Sequence, residues 1–268
     1  MGFWKRNSND PLLNSILKKY RLNLLSIPRE NAKVGDLYMQ DDNSNFVSTP
    51  GSITNFIIPQ LEIPQITPNE QMSNIAGQAS NAISGKAGFD FLEGFLDKLG
   101  AAGIGGKVRG AYEGSKSNKI VFAFPNPRRD SIDPFEFGSK LRGSKFMTDN
   151  PLYAENRRYY VVTGVAKTNS ISIEIQGDKK NSIDVNANIS QIVDASANMK
   201  LEKNQGGKIT YSGNKDLAFG VELYEIGYSN EKEKFVMNSP NDAIVVRGNG
   251  EPALIGDVDG DAFISFKS

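Results

Sequence analysis

Apolar residues in the first 28 residues follow first a helical and then an extended pattern. Asp10 and Pro11 predict a helix start, because Asp is a favoured N-cap and Pro fits the first helical position. The residues that then share one helical face are Leu12, Leu13, Ile16, Leu17 and Tyr20. Residues 22–27, in which Leu22, Leu24, Leu25 and Ile27 are apolar, predict a buried strand closed by Pro28.

Residues 40–88 contain few regular patterns. Residues 40–52 are polar and turn-rich, and the prolines in residues 53–66 confine that segment to an edge strand or an extended crossing. Residues 69–88, rich in Ser, Asn, Gly and Ala, have weak helical character.

One amphipathic helix is predicted around residues 89–99, followed by a break in the glycine-rich residues 100–110. The apolar residues of that helix are Phe89, Leu92, Phe95, Leu96 and Leu99.

Strand patterns dominate the second half of the chain. The predicted strands are residues 119–124, 159–165, 171–175, 183–189, 199–203, 208–211 and 217–226. Turn residues at 167–169 and 213–214 separate them. The hairpin-like spacing predicts an α+β fold, with a twisted, largely antiparallel sheet and surrounding helices.

The strand predicted at residues 183–189 has one apolar and one strongly polar face. Ile171, Ile173 and Ile175 repeat this alternation in the preceding predicted strand. The alternation suits a half-exposed sheet. It also suits a barrel strand that faces lipid outside and water inside, and the pattern alone does not choose between them.

Composition argues against an enzyme and against nucleic-acid binding. The 268 residues include no His and no Cys, so the usual neutral-pH proton shuttle and thiolate chemistry are missing. The 31 basic and 31 acidic residues balance, which gives no electrostatic case for nucleic acid. No stretch approaches the ~20 apolar residues of a membrane helix, and we expect a cytoplasmic protein.

Two motifs suggest ligands but fail on inspection. Residues 103–107 resemble a phosphate loop, yet Ala101 and Val108 occupy positions that need Gly and Ser or Thr. Residues 257–261 place three aspartates as in a calcium loop, but Ala262 replaces the turn glycine and Ser268 the closing acid. We therefore predict no cofactor and no metal.

The C-terminal residues form a short apolar strand. Phe263 and Phe266 would be a liability if exposed, which predicts that the tail packs on the rest of the chain or completes its core. Upstream, Arg247 and Gly248 lie between an apolar strand and a glycine loop, where proteases commonly cut.

Several segments resemble the bacterial gasdermins. They are Asp10-Pro11-Leu12-Leu13, Tyr20-x-Leu22-Asn23-Leu24, Ile27-Pro28-Arg29-Glu30, residues 159–174 and residues 212–226, with the Leu-Ala-Phe-Gly-Val block at 217–221 as the most characteristic. The resemblance spans nearly the whole chain.

The resemblance implies an autoinhibited pore-forming protein with a gasdermin N-terminal-domain-like fold. Residues 1–247 would be the pore-forming domain, and residues 248–268 an autoinhibitory peptide anchored by Phe263, Ile264 and Phe266. An associated caspase-like or other protease would cut between Arg247 and Gly248. The intact monomer in the cytoplasm would then become a homo-oligomeric transmembrane β-barrel in the inner membrane, killing the cell in antiphage defence by abortive infection.

The N-terminus departs from the family pattern. Many relatives carry a lipidated Cys within the first residues, whereas this chain reads Gly2-Phe3-Trp4-Lys5-Arg6. Phe3 and Trp4 are the candidate membrane anchor instead, since Trp favours the lipid interface, although a frayed terminus fits equally well.

Residues 43–85 and 157–192 supply enough extended chain for membrane-inserted hairpins, and we predict that they insert. Two other functions remain open. A non-enzymatic, β-rich structural or assembly protein explains the strands and the missing His, and a hydrolase using Asp130 and Asp133 is a weaker alternative.

Overall fold

The computed structural model of the chain describes residues 20–41, 47–80, 92–97, 103–113, 119–150, 153, 157–176, 200–203, 208–229 and 234–237. The strands are β1 (Asn23–Arg29), β2 (Asp36–Asp41), β3 (Val47–Ser52), β4 (Ile57–Ile58), β5 (Thr67–Gln71), β6 (Ile75–Ser80), β7 (Lys119–Phe124), β8 (Arg128–Ser131), β9 (Lys145–Phe146), β10 (Arg157–Gln176), β11 (Lys200–Lys203), β12 (Ile209–Ser229) and β13 (Lys234–Met237). The helices are α1 (residues 92–97), α2 (Ile104–Glu113) and α3 (Pro134–Leu141), and a 3-10 turn covers Ile53–Asn55.

An antiparallel sheet organises these elements around two long strands. β10 and β12 pair with each other, and in the described residues all other strands except β4 and β9 connect to this pair directly or through one more strand. Along its other edge β10 pairs in turn with β2, β8 and β7. The predicted antiparallel, strand-rich architecture is confirmed. No helix in the described residues is long and apolar enough to cross a bilayer.

The predicted breaks in the two long strands are wrong. Residues 157–176 form one strand through the turn predicted at 167–169, and residues 209–229 form one strand through the turn predicted at 213–214. The polar residues there are bonded across the sheet. Asn169 Nδ2 donates to the Gly213 carbonyl at 3.3 Å, and Thr168 Oγ1 to the Pro125 carbonyl at 3.1 Å.

The predictions for residues 40–110 are also corrected in part. Residues 47–52 form β3, residues 67–71 form β5 and residues 75–80 form β6, in place of the predicted turns and weak helix. These polar, short strands depend on pairing with β2, β8 and β7, which no local pattern reports.

The predicted glycine break at residues 100–110 is confined to its first part. Gly103 has a φ of +74°, a left-handed conformation that glycine adopts without strain. Its N–H donates to Asp97 Oδ1 at 2.9 Å, and α2 then begins at Ile104. The prediction of a break from residue 104 onward is therefore wrong.

Other predicted elements agree with the structure. Residues 119–124 form β7, residues 200–203 form β11, and the buried strand at residues 22–27 corresponds to β1. Of the predicted first helix only Tyr20 is described, and it is helical. The strand predicted at residues 183–189 lies outside the described residues.

Two apolar clusters form the body of the protein, on opposite faces of the sheet around the first half of β10. One joins α3, the small β4–β9 sheet and β2, and includes Phe137, Leu141 and Val161. The second packs Leu25 and Tyr38 against β10 and β12. α3 is well started, because Pro134 follows the N-cap Asp133, whose Oδ1 accepts the Phe135 N–H at 2.8 Å.

A separate aromatic stack joins α1 to the sheet. Phe124 of β7 stacks on Phe219 of β12 with ring centroids 4.2 Å apart, and Phe95 of α1 lies 5.7 Å from Phe124. All three side chains are fully buried. The stack therefore fixes α1 on the far part of the sheet.

We expect Phe124→Ala to lower the free energy of unfolding by about 3–5 kcal/mol, because it leaves a cavity between two buried rings. Urea denaturation followed by circular dichroism measures the change. Phe135→Ala is the matched control. Its side chain is 85% exposed, so its loss should change stability by no more than about 0.5 kcal/mol. Equal losses in both variants would contradict the role of the stack.

Candidate functional site

The part of the sheet farthest along β10 forms a row of five strands, here called the distal row. One line of paired residues crosses it: Ala76 of β6, Ala123 of β7, Ser172 of β10, Thr210 of β12 and Glu202 of β11. The row thus combines segments more than a hundred residues apart in the chain.

One face of the distal row carries a group of fully buried apolar side chains, among the residues whose side chains the structure describes. Phe122 lies opposite Ile173, Ile171 opposite Tyr211, and Ile75 opposite Phe124. All six side chains are 0% exposed. Residues directly opposite in antiparallel strands point to the same side, so they form one continuous surface.

The opposite face carries small hydroxyl side chains. Ser172 and Thr210 share a hydrogen bond of 2.7 Å between their hydroxyl oxygens, and Ser170 lies two residues before Ser172 on the same side. These hydroxyl groups are buried but paired, which avoids the cost of an unsatisfied polar group. The row is therefore amphipathic across its thickness.

Helix α1 covers the apolar face. Leu92, Phe95 and Leu96 are fully buried, and Phe95 packs on Phe124. The prediction of an amphipathic helix here is confirmed for these three residues; Phe89 and Leu99 lie outside the described residues. α1 and the following α2 both occur in the connection from β6 to β7.

Helix α2 is intrinsically weak. It contains Gly105, Gly106 and Gly110, and each glycine in a helix interior costs about 1 kcal/mol relative to Ala. It has no acidic residue in its first turn and no basic residue in its last turn to complement the helix dipole. By itself, α2 is thus inexpensive to unfold.

The two aspartates considered for hydrolysis have structural partners. Asp130 accepts from Lys167 Nζ at 2.6 Å and from the Asn69 backbone N–H at 2.8 Å, and Asp133 caps α3. Desolvation alone would raise the pKa of Asp130. The hydrogen bonds from Lys167 and Asn69, together with nearby positive charge, have the larger effect, so the pKa lies below its ordinary value. A carboxylate held ionised in this way is a poor general acid.

A second carboxylate, Glu222 of β12, has a pKa shifted in the opposite direction and lies opposite Gly164 of β10. Burial raises the pKa of Glu222 above its ordinary value, against the opposing positive charges of Arg129 and Arg21. Within the part of the chain that the structure describes, no group of three or more carboxylates is placed to hold a metal ion.

The remaining predicted site residues lie outside the described residues. These are Phe3 and Trp4, the cleavage pair Arg247 and Gly248, the anchors Phe263, Ile264 and Phe266, and the calcium-like loop at 257–261. The predicted domain boundary between residues 247 and 248 also lies outside the described residues. All of these stay predictions.

The structure shows features of the distal row that the sequence patterns did not predict. The alternation of Ile171 and Ile173 with Ser170 and Ser172 was visible as an amphipathic strand. Its pairing with Thr210 and its cover by α1 were not, because both depend on contacts with distant segments.

Comparisons with known proteins agree with this architecture. The model described as "Bacterial Gasdermin Family" matches residues 25–236. Two relatives named Gasdermin bGSDM are each 27% identical. The one from Vitiosangium sp. (strain GDMCC 1.1324) aligns over 87% of this chain and 86% of the relative, and the one from Gillisia limnaea over 82% and 83%.

A third relative of the same name, from Bradyrhizobium tropiciagri, is 24% identical over 97% of this chain and 96% of its own length. The solved structure of a bacterial gasdermin from Bradyrhizobium tropiciagri superposes with a TM-score of 0.63 at 20% identity, covering 86% of this chain and 91% of that one. This structural likeness shows a gasdermin-like fold.

Proposed function

The chain belongs to the bacterial gasdermin family, and we propose that it is an autoinhibited pore-forming protein. Proteolytic removal of residues 248–268 activates it, and the remaining chain assembles into a homo-oligomeric membrane pore. The observation that carries this proposal is the distal row, with an apolar face under α1 and a hydroxyl face behind it.

The two faces of the distal row match the two surroundings of a barrel strand. Strands of a membrane barrel present apolar side chains to lipid and polar side chains to a water-filled interior. Ile171 and Ile173 would contact lipid after α1 is displaced, and Ser170 and Ser172 would line the interior. Backbone groups in the bilayer must all be paired, so the strands insert only as part of a closed ring.

The lengths of the strands indicate which segments must change. β10 has 20 residues and β12 has 21, whereas a barrel strand needs about 9–11. β6 and β7 have six residues each, about 20 Å of extended chain. The hydrocarbon core is about 30 Å thick, so the β6–β7 connection must supply more strand. The glycines of α2 lower the cost of unfolding this helix.

This argument revises the first predicted hairpin. Of residues 43–85, β3 and β4 pair within the body, and β6 alone belongs to the distal row, where it pairs with β7. We therefore propose that one inserted hairpin is formed by residues 75–124, and the other by residues 157–192, as predicted.

The biological setting is proposed on the family resemblance. The protein waits as a monomer in the cytoplasm, a caspase-like or other protease cuts between Arg247 and Gly248, and the pore in the inner membrane kills the cell to limit phage spread. Phe3 and Trp4 would anchor the activated chain. Membership of the bacterial gasdermin family favours this function over the structural or assembly alternative.

We expect residues 1–247 to release dye from liposomes, and the intact chain not to, because removal of the tail frees the pore-forming domain. Fluorescence dequenching measures the release, and circular dichroism checks that both proteins are folded. Release by both to the same extent would exclude inhibition by the tail. Silence from a folded 1–247 protein would favour the structural alternative.

In the intact chain, Phe263→Asp combined with Phe266→Asp should cause release without cleavage. Each buried anchor contributes about 1.5–3 kcal/mol, and a charge in its place cannot be buried. The same liposome assay measures the effect, with Lys267→Ser as a control that leaves both aromatic residues in place. If the uncleaved double variant released no dye, Phe263 and Phe266 would have no part in the inhibition.

Single cysteines test the orientation of the strands, since the chain has none of its own. Ile173→Cys and Ser172→Cys place a fluorophore on adjacent residues of opposite faces. On liposomes, a lipid-bound quencher should act on the label at 173 and an aqueous quencher on the label at 172. Equal quenching at both positions would contradict insertion of this strand.

A further inference from the structure

Strand β8 carries three consecutive charged residues whose side chains alternate between the two faces of the sheet. On one face, Arg128 Nη2 donates to both carboxylate oxygens of Asp216, at 2.9 and 2.7 Å, and Asp130 pairs with Lys167. On the other face, Arg129 Nη1 lies 3.4 Å from Glu222 Oε2. Both faces of β8 are therefore fixed by opposite charges.

The two arginines reach over an intervening strand. The neighbour of β8 is β10, where Arg129 lies opposite Ala166 and Arg128 opposite Lys167. Asp216 and Glu222 belong to β12, on the far side of β10. The ion pairs thus join strands that share no backbone hydrogen bonds with each other.

Gly164 of β10 makes the crossing possible. A Cβ at this position would lie 2.9 Å from Glu222 Oε2 and 3.4 Å from Arg129 Nε. Any larger residue would occupy the space through which the two side chains approach. The ion pair therefore requires a residue without a side chain at position 164.

Strand β5 is held by the same residues. All five of its residues are exposed, so it has no apolar side chain to bury. Glu70 Oε2 lies 3.8 Å from Arg129 Nε and accepts from Ser131 Oγ at 3.4 Å, and the Asn69 N–H donates to Asp130. Strand β5 is therefore attached to β8 by charged contacts and backbone pairing, and not by apolar packing.

The position of these contacts suggests their role. β8 pairs with residues 164–167, between the part of β10 that belongs to the body and the part in the distal row. The register of β10 with β12 shifts three times in this stretch, between Val162 and Ser170. Such bulges bend a strand and interrupt its regular pairing, so the backbone ladder is least regular here.

We propose that β8 is a two-sided charge clamp: its contacts with Asp216, Glu222 and Lys167 hold the bulged middle of β10 and β12 in one bend, and so set how readily the distal row separates from the body. The consequence in membranes rests on the proposed pore function. The clamp itself is a property of the intact, water-soluble fold and is tested there.

The burial of the pair determines how it should be broken. The Glu222 side chain is 12% exposed and that of Arg129 29%. Removing one partner would leave a largely buried charge uncompensated, which destabilises a fold for reasons unrelated to a clamp. The informative variant therefore neutralises both, as Arg129→Met with Glu222→Gln.

Two further double variants complete the design. Arg128→Met with Asp216→Asn removes the contact on the other face, where both side chains are more exposed. Glu136→Gln with Lys140→Met is the matched control, because it removes an ion pair of 3.2 Å that lies within α3 and includes no residue of β8.

Hydrogen exchange of backbone amides in the intact chain is the first measurement. We expect exchange at residues 171–173 to rise roughly fivefold in either clamp variant, as for a loss of about 1 kcal/mol of local stability. Exchange at Phe137 and Leu141 in the body should stay unchanged, as should exchange throughout the control. Unchanged exchange at 171–173, or an equal rise in the body, would overturn the clamp.

Dye release by residues 1–247 is the second measurement. The clamp variants should release dye several-fold faster than the unsubstituted protein at equal final extent, whereas the control should match it. Faster exchange without faster release would overturn the link between the clamp and insertion. If no protein releases dye at all, the pore proposal fails, and the exchange result still decides whether β8 clamps the sheet.

Discussion

The backbone ladder between β10 and β12 is the constraint on which the rest of the structure depends. The two strands are 20 and 21 residues long and pair from Tyr159 to Ile173. Along its other edge β10 accepts β2, β8 and β7 in succession, so one strand passes through the body, the clamp and the distal row. A displacement of the distal row must therefore be transmitted through, or absorbed by, the middle of this strand.

Sequence patterns predicted the elements whose signals are local. β7 and the buried face of α1 follow from apolar periodicity, and both agree with the structure within the described residues. The long strands were divided because Lys167–Asn169 and Gly213–Asn214 read as turns. Their polar groups are bonded to residues about forty positions away, such as Asn169 to Gly213 and Lys167 to Asp130. No short window contains that information.

The candidate site shows the same limit more strongly. The alternation of Ile171, Ser172 and Ile173 indicated an amphipathic strand, but not which face is covered or by what. Gly164 has no local signature at all. It matters because Arg129, thirty-five positions earlier, passes it to reach Glu222. Sites built from several strands depend on register, and register is set by the whole sheet.

The two faces of the distal row impose different conditions on insertion. Displacing α1 into water would expose Leu92, Phe95 and Leu96 with the face they cover, at about 1.5–3 kcal/mol for each side chain. Beside a bilayer that cost falls, because lipid replaces the helix as the apolar partner. The hydroxyl face has the reverse requirement, since Ser172 and Thr210 are unfavourable in hydrocarbon and favourable next to water. A single copy in lipid satisfies one face only. Under the proposed pore function, a closed ring of copies would satisfy both, and membrane contact and assembly would be parts of one step.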